Sequence, residues 1–383
     1  MESLRENGRP RRSRPGRMLA LAIAASALVA ARDDWRAAGK ITARIGTIDY
    51  YGLRTVTEQQ VRANLNLREG DLAPLPDQEG VTANFARRAL GIKTRRSIAE
   101  RLERIPGVTR ADVVTIVDDT SRGYLFVGIE ENTSPHFEYR SPPAGSVSLP
   151  RDMVDAYDQH IDALSAAIAN RDPQLDEDDS QGHALFTDAR MQALEEKMIV
   201  FDASNLEIVR RVLKDSASAR HRIAAAWIIG YAPDKRLILG DLMDAVRDPD
   251  ALVRNNATRA IAIIADFANQ RPELGIHIDP SVFIDMLNSL TWTDRNKATG
   301  VLHSLTEGRD VETLRLLRER ALPTLVGMAR WKAAPYALEA LEMLGRIAGL
   351  DEKATQNAWK NGERERVIDM VTTMNGRPPS TAP

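Results

Sequence analysis

Six histidines, at positions 136, 160, 183, 221, 277 and 303, are the first residues to test for metal or acid–base chemistry, and no two lie four residues apart. A helical zinc site needs that spacing to bring two imidazoles to one face, so none is encoded. There is no Gly-x-Ser-x-Gly nucleophile turn and no Gly-x-x-x-x-Gly-Lys phosphate loop. Asp155, Asp158 and Asp162 share a helical face at spacings that suit a cation or a shared proton, but acids so spaced more often form a solvated surface. In the acidic run 172–182 no register puts Asp first and Gly sixth. The closest, from Glu177 with Gly182 sixth, lacks the closing bidentate Glu of a calcium loop. The chain has no cysteine, hence no disulfide, thiol nucleophile, thiolate metal site or lipidated cysteine. No catalytic residue, metal set or cofactor site emerges, and a non-enzymatic protein is expected.

The elements that would position any site are organised by a repeat. Arg222-Ile-Ala-Ala225-Ala-Trp-Ile228-Ile229-Gly230 returns as Arg254-Asn-Asn-Ala257-Thr-Arg-Ala260-Ile261-Ala262, 32 residues on. Self-similarity at that period on helical spacing implies stacked helical hairpins, which bind more often than they catalyse. Between the copies, the Asp248 carboxylate is expected to cap a helix that opens at Pro249, where a missing N–H costs nothing. Arg254 is expected to brace the loop acid before it, Asp248 or Asp250. Asp279-Pro280 repeats the Asp-Pro pair.

Charge is balanced, with 52 Lys+Arg against 54 Asp+Glu, so no global basic field argues for nucleic acid. The balance hides a basic leader. Residues 1–31 carry six Arg against two Glu, a net of +4, which leaves −6 from the total of −2 for the remainder. An apolar stretch of 14 residues, 18–31, follows the arginines and ends in Val29-Ala30-Ala31. It is short of the roughly 20 residues that span a bilayer and reads as an export signal cleaved near Ala31. A periplasmic or envelope-associated protein with no integral span in the mature chain is the expectation.

Residues 40–131 read as strand, helix, helix, strand, strand. Ile41, Ala43, Ile45, Ile48 and Tyr50 alternate, Thr57-Glu-Gln-Gln60 signals a capping box, and Ile98, Leu102 and Ile105 give a helix stopped at Pro106-Gly107. Strands over 111–117 and 123–129 flank a polar turn. With Ile45-Gly-Thr-Ile48, Glu69-Gly70-Asp71, Ile105-Pro106-Gly107-Val108 and Gly123-Tyr-Leu-Phe-Val127 in this order, the unit resembles a POTRA domain, about a quarter of the chain. Its segment 73–95 is longer than that family's short connection. The resemblance implies capture of an extended partner at a free sheet edge formed by Asp112, Val113, Val114, Thr115, Ile116 and Val117. The alternatives are a solvated edge or one covered by 73–95.

Residues 132–150, with Pro135, Pro142, Pro143, Gly145 and Pro150, read as a breaker-rich linker. A helix is expected over 151–170, then a mobile acidic loop at 172–182, then helices to 374 and a disordered tail at 375–383. Asp248-Pro-Asp…Val253-Arg254…Ala257…Ala260-Ile261 and Arg222…Ala225…Ile228 resemble HEAT or HEAT-like repeats, with weaker copies at Arg295 and Ala337. In these, Arg222, Ala225, Asp248, Pro249, Arg254 and Ala257 are structural. The expected fold is therefore multidomain α+β and all-α, a small β-α-α-β-β unit before an α-solenoid. The expected role is a scaffold that binds protein partners, such as envelope or outer-membrane assembly components, through the sheet edge and the solenoid surface. An enzyme or cofactor handler remains the alternative, since one HEAT-like family comprises bilin lyases.

Overall fold

A computed structural model describes residues 43–73, 95–118, 120, 122–169 and 176–373. The expected export signal 1–31, most of the segment 73–95, residues 172–175 of the expected mobile loop and the expected disordered tail 375–383 lie outside these. The protein is a mixed α+β, mostly helical chain, and among the described residues no helix is long and apolar enough to cross a membrane.

A three-stranded sheet comes first. It comprises β1 (Arg44–Tyr51), β2 (Val108–Val117) and β3 (Arg122–Glu131), in the order β1-β3-β2. β3 runs parallel to β1 and antiparallel to β2. Between β1 and β2 lie α1 (Glu58–Leu65) and α2 (95–102). α1 begins at the expected capping box, where Thr57 Oγ1 accepts from Gln60 N–H and Gln60 Oε1 accepts from Thr57 N–H.

Both faces of this sheet are covered. On one, Ile45, Ile48, Val113, Leu125, Val127 and Ile129 form a core with Val61 and Leu65 of α1 and Ile98 and Leu102 of α2. On the other, Tyr51, Ile116, Tyr124 and Phe126 join the main helical core. Double coverage explains why Tyr124-Leu-Phe-Val127 is apolar without alternation.

The helical part begins with α3 (Arg151–Ala169). A two-residue-per-strand hairpin, β4 (Glu177–Asp178) and β5 (Leu185–Phe186), leads to α4 (Ala189–Asp215). The described part of the acidic stretch, 176–182, is thus the first arm and turn of a hairpin packed on the helices. Then follow α5 (Ala219–Ile228), α6 (Lys235–Ala245), α7 (Ala251–Gln270), α8 (Ser281–Met286), α9 (Trp292–Leu305), α10 (Val311–Ala329), α11 (Ala334–Ile347), α12 (Glu352–Lys360) and α13 (Arg364–Thr373). α5, α7, α9 and α11 pack in succession, each sequence neighbour against the next. α4 is kinked at Asn205, whose φ −134° and ψ 23° are not helical. α12 and α13 are split where Gly362 takes φ +73°.

Residues 132–150 do not hang free. Arg140 N–H donates to Arg247 O (2.6 Å), and Gly145 exchanges hydrogen bonds with Asp215 O and Ala217 N–H (2.8 Å each). Phe137 and Leu149 are buried. The prolines deny this stretch a helix, and it becomes a strap along the inter-helix turns.

The sheet meets the helices in an aromatic seam. Phe126 lies 5.0 Å from the Trp292 ring, 5.1 Å from Trp331 and 5.4 Å from Tyr336, centre to centre. Tyr51 O–H donates to Leu290 O (2.8 Å) and Trp331 Nε1–H to Tyr50 O (3.0 Å). α11 has no capping side chain of its own. Asp49 of β1 instead fixes the turn that leads into it, accepting Lys332 N–H at 2.6 Å and Ala333 N–H at 2.9 Å. Trp292, at the start of α9, is fully buried because the sheet lies over it.

Candidate functional site

Three groupings bear on function: the sheet edge, the arginine ladder and a buried ionisable cluster. Asp112, Val113, Val114, Thr115, Ile116 and Val117 all lie in β2, opposite Gly128 to Gly123 of β3. Among the described residues no strand pairs with the outer side of β2, whereas the outer side of β1 is bonded by residues 70–73. The side chains do not form an exposed row. Val113 points into the α1/α2 core, and Val114 and Ile116 pack on the helical core.

The edge backbone is partly satisfied. Ala111 N–H donates to Glu103 Oε1 (3.1 Å) and Val113 N–H to Asp112 Oδ1 (2.9 Å). Amides alternate sides along a strand, so those of Ala111, Val113 and Thr115 face away from β3 and that of Val114 faces it. Burial pushes the Asp112 carboxyl up. The Thr115 hydroxyl is buried without a partner among the described residues.

The repeat residues form a forward-reaching ladder. Arg222 grips Asp248 with two hydrogen bonds of 2.9 Å, and Arg254 grips Asp294 at 3.0 and 2.9 Å, all four side chains buried. Arg254 therefore does not brace Asp248 or Asp250 by their carboxylates. Its Nη1 donates to the carbonyls of Asp248 and Pro249, while its acid comes from the next hairpin. The α7 cap also differs. Asp250 caps Leu252 and Val253 N–H, so the helix opens at Ala251 and Pro249 lies two residues outside it. Asp248 is committed to Arg222 and to Arg140 of the strap (2.6 Å), which hold its carboxyl below the ordinary range despite burial. Ala225 and Ala257 are fully buried in α5 and α7, where small side chains let those helices close up.

The ionisable cluster escaped the sequence reading. Glu195 (α4) is fully buried; Oε2 accepts Phe186 N–H (2.9 Å) and Oε1 accepts Tyr231 O–H (3.3 Å). His160 (α3) is fully buried with Nε2 3.9 Å from Glu195 Oε1, and among the described residues neither ring nitrogen has a well-formed hydrogen bond. Glu177 of β4 is paired with Arg259 (α7), whose guanidinium lies 4.3 Å over the Trp227 ring. Burial pushes Glu195 up to about 8 and Asp202 to about 7, pulls His160 down to about 3, and lowers Lys235 and Lys297 to about 8. At neutral pH the Glu195–His160 contact is thus uncharged, with its proton on the carboxyl.

Shifted groups gathered in one place mark functional or strained sites alike. Both side chains are fully buried, so a reactant reaches them only if the surrounding elements move. The sequence did carry a signal: Met191, Glu195, Met198 and Asp202 fall at i, i+4, i+7 and i+11, placing two acids on the apolar stripe of α4. Compared with known proteins, no family model matches this chain, and no curated protein matches it.

Proposed function

We propose that this chain is a non-enzymatic docking protein of the bacterial cell envelope, exported by its leader, which takes an extended segment of a partner protein onto β2. The POTRA-like unit provides the edge and the HEAT-like array provides a rigid platform behind it. One observation carries this reading: β2 is an edge strand with no outer neighbour among the described residues, while the opposite edge is already bonded. Strand addition draws its affinity from backbone hydrogen bonds and asks little of partner sequence. The strap and seam join the two parts into one body, so the connector does not act as a flexible tether between two independent sites.

The test is a photo-crosslinking residue at exposed Arg110, in the full-length protein in its own host, with adducts identified from the envelope fraction. Thr115→Pro removes an outward amide and is tolerated at an edge, whereas Val114→Pro breaks the ladder to β3 and serves as the unfolding control. A discrete adduct lost in Thr115→Pro is expected. No adduct in an exported, folded protein, or one indifferent to Thr115→Pro, sinks strand docking. The buried Glu195–His160 cluster favours a second reading, an envelope enzyme or cofactor handler. That reading requires Glu195→Gln to abolish activity with folding intact, whereas docking at β2 is indifferent to it.

A further inference from the structure

The arginine ladder has a third member without an acid. Arg295, which the repeat aligns with Arg222 and Arg254, is 4% exposed, and its Nε–H donates to Ser289 O (2.5 Å). Its two terminal nitrogens have no carboxylate among the described residues. The adjacent Asp294 is engaged by Arg254, and its Oδ2 also accepts the Ser289 hydroxyl at 2.7 Å. As Arg254 lies 4.1 Å over the Tyr139 ring, Arg295 lies 4.7 Å over the Tyr51 ring, but Arg254 also holds an acid. Burial without a paired charge pulls the guanidinium down to about 10.

Arg295 and Tyr51 line a groove of about 380 Å³ between the end of β1, the turn after α8, and helices α9 and α10. That volume suits a small ligand or a terminal residue of a chain. Asn288 lines it too; its Oδ1 accepts from Thr324 (2.9 Å), which leaves its amide hydrogens as further donors. The one acid on the lining, Glu130, lies 3.8 Å from Arg110, and Arg54 adds a second positive charge to the lining. Leu53 and Met328 give it apolar walls.

We propose that this groove binds a carboxylate, with the Arg295 fork as its anchor and the Tyr51 ring as its floor. A guanidinium presents paired donors that match a carboxylate, and a bound acid would take the place that Asp248 and Asp294 fill in the earlier hairpins. The ligand is a free organic acid or the C-terminal carboxylate of a peptide. The site is independent of strand docking at β2.

The full chain is titrated by calorimetry at pH 7 with sodium acetate, N-acetyl-glycyl-leucine and the C-terminal amide of that dipeptide. Saturable binding of an acid, with the amide about tenfold weaker or worse, is expected. Acetate binding as tightly as the dipeptide identifies a small acid as the ligand, and dipeptide binding alone identifies a chain terminus. Gly327 lines the groove with open space where a side chain would start, so Gly327→Leu should fill it and abolish acid binding without lowering Tm. Arg295→Lys keeps the charge but loses the fork, and should weaken the acid about tenfold. Equal binding of acid and amide, no saturable binding by about 10 mM, or binding unchanged in Gly327→Leu overturns the proposal.

Discussion

Arg254 and Asp294 bury opposite charges 40 residues apart, and each leaves the other stranded if removed. Asp294→Ala should destabilise the fold by about 3–5 kcal/mol in denaturant unfolding, well above the 1 kcal/mol or less of an exposed pair such as Arg62–Glu58. Glu195 sets a pH dependence. Its carboxyl titrates near 8 when folded against an ordinary 4.5, so between those values the folded state holds more protons than the unfolded one. Its contribution is complete below about 4.5 and is lost as pH rises through 8, and Asp202 behaves likewise up to about 7. His160 runs the other way, contributing above 6.5 and losing that contribution as pH falls toward 3. Glu195→Gln should therefore reduce the fall in Tm between pH 5 and 8; parallel profiles for variant and parent would discount the buried carboxyl. The ladder was half legible. The repeat revealed Arg222 and Arg254 because identical packing demands identical residues. Their acids, 26 and 40 residues ahead, follow no fixed spacing, and only the fold brings them close.

β3 is the element on which the two halves turn. Its apolar run reads as a buried strand in sequence, yet what covers each face is decided by residues far away. Tyr51 lies across Gly128, where any Cβ would strike the tyrosine ring. Gly128→Ala should displace that ring and loosen the seam, measured as a loss of stability with the secondary structure retained. Asp49→Ala unties the turn before α11 from β1 and should cost about 1–3 kcal/mol, with exchange of the Lys332 and Ala333 amides accelerated. Local signals were read well where they are local. The Thr57–Gln60 box follows from the residues on the spot. The burial of Trp292 is not legible in its polar neighbours, because it comes from Phe126, 166 residues earlier.

At the scale of the molecule, sheet and helices share one core, and the strap is stitched to the turns it crosses. A single cooperative unfolding transition is expected, by calorimetry or denaturant, with residues 132–150 resisting brief proteolysis in the native protein. Phe126→Ala removes the centre of the seam and should cost about 3–5 kcal/mol, or split the transition in two. A wild type already melting in two steps would contradict this unity. The breaker-rich composition of 132–150 announced an irregular segment, but prolines and glycines say only that a stretch is neither helix nor strand. Whether it swings or is pinned depends on what lies beneath it.

The seam also sets a timetable. Phe126 and Tyr124 leave the ribosome some 200 residues before Trp331 and Tyr336 exist to cover them. At about 5–20 residues per second that interval lasts roughly 10–40 s, during which one side of a finished hairpin is bare and greasy. Nascent chains of this protein are therefore natural clients for a holding chaperone, and ribosome-bound chains that end before Trp331 should be its best substrates.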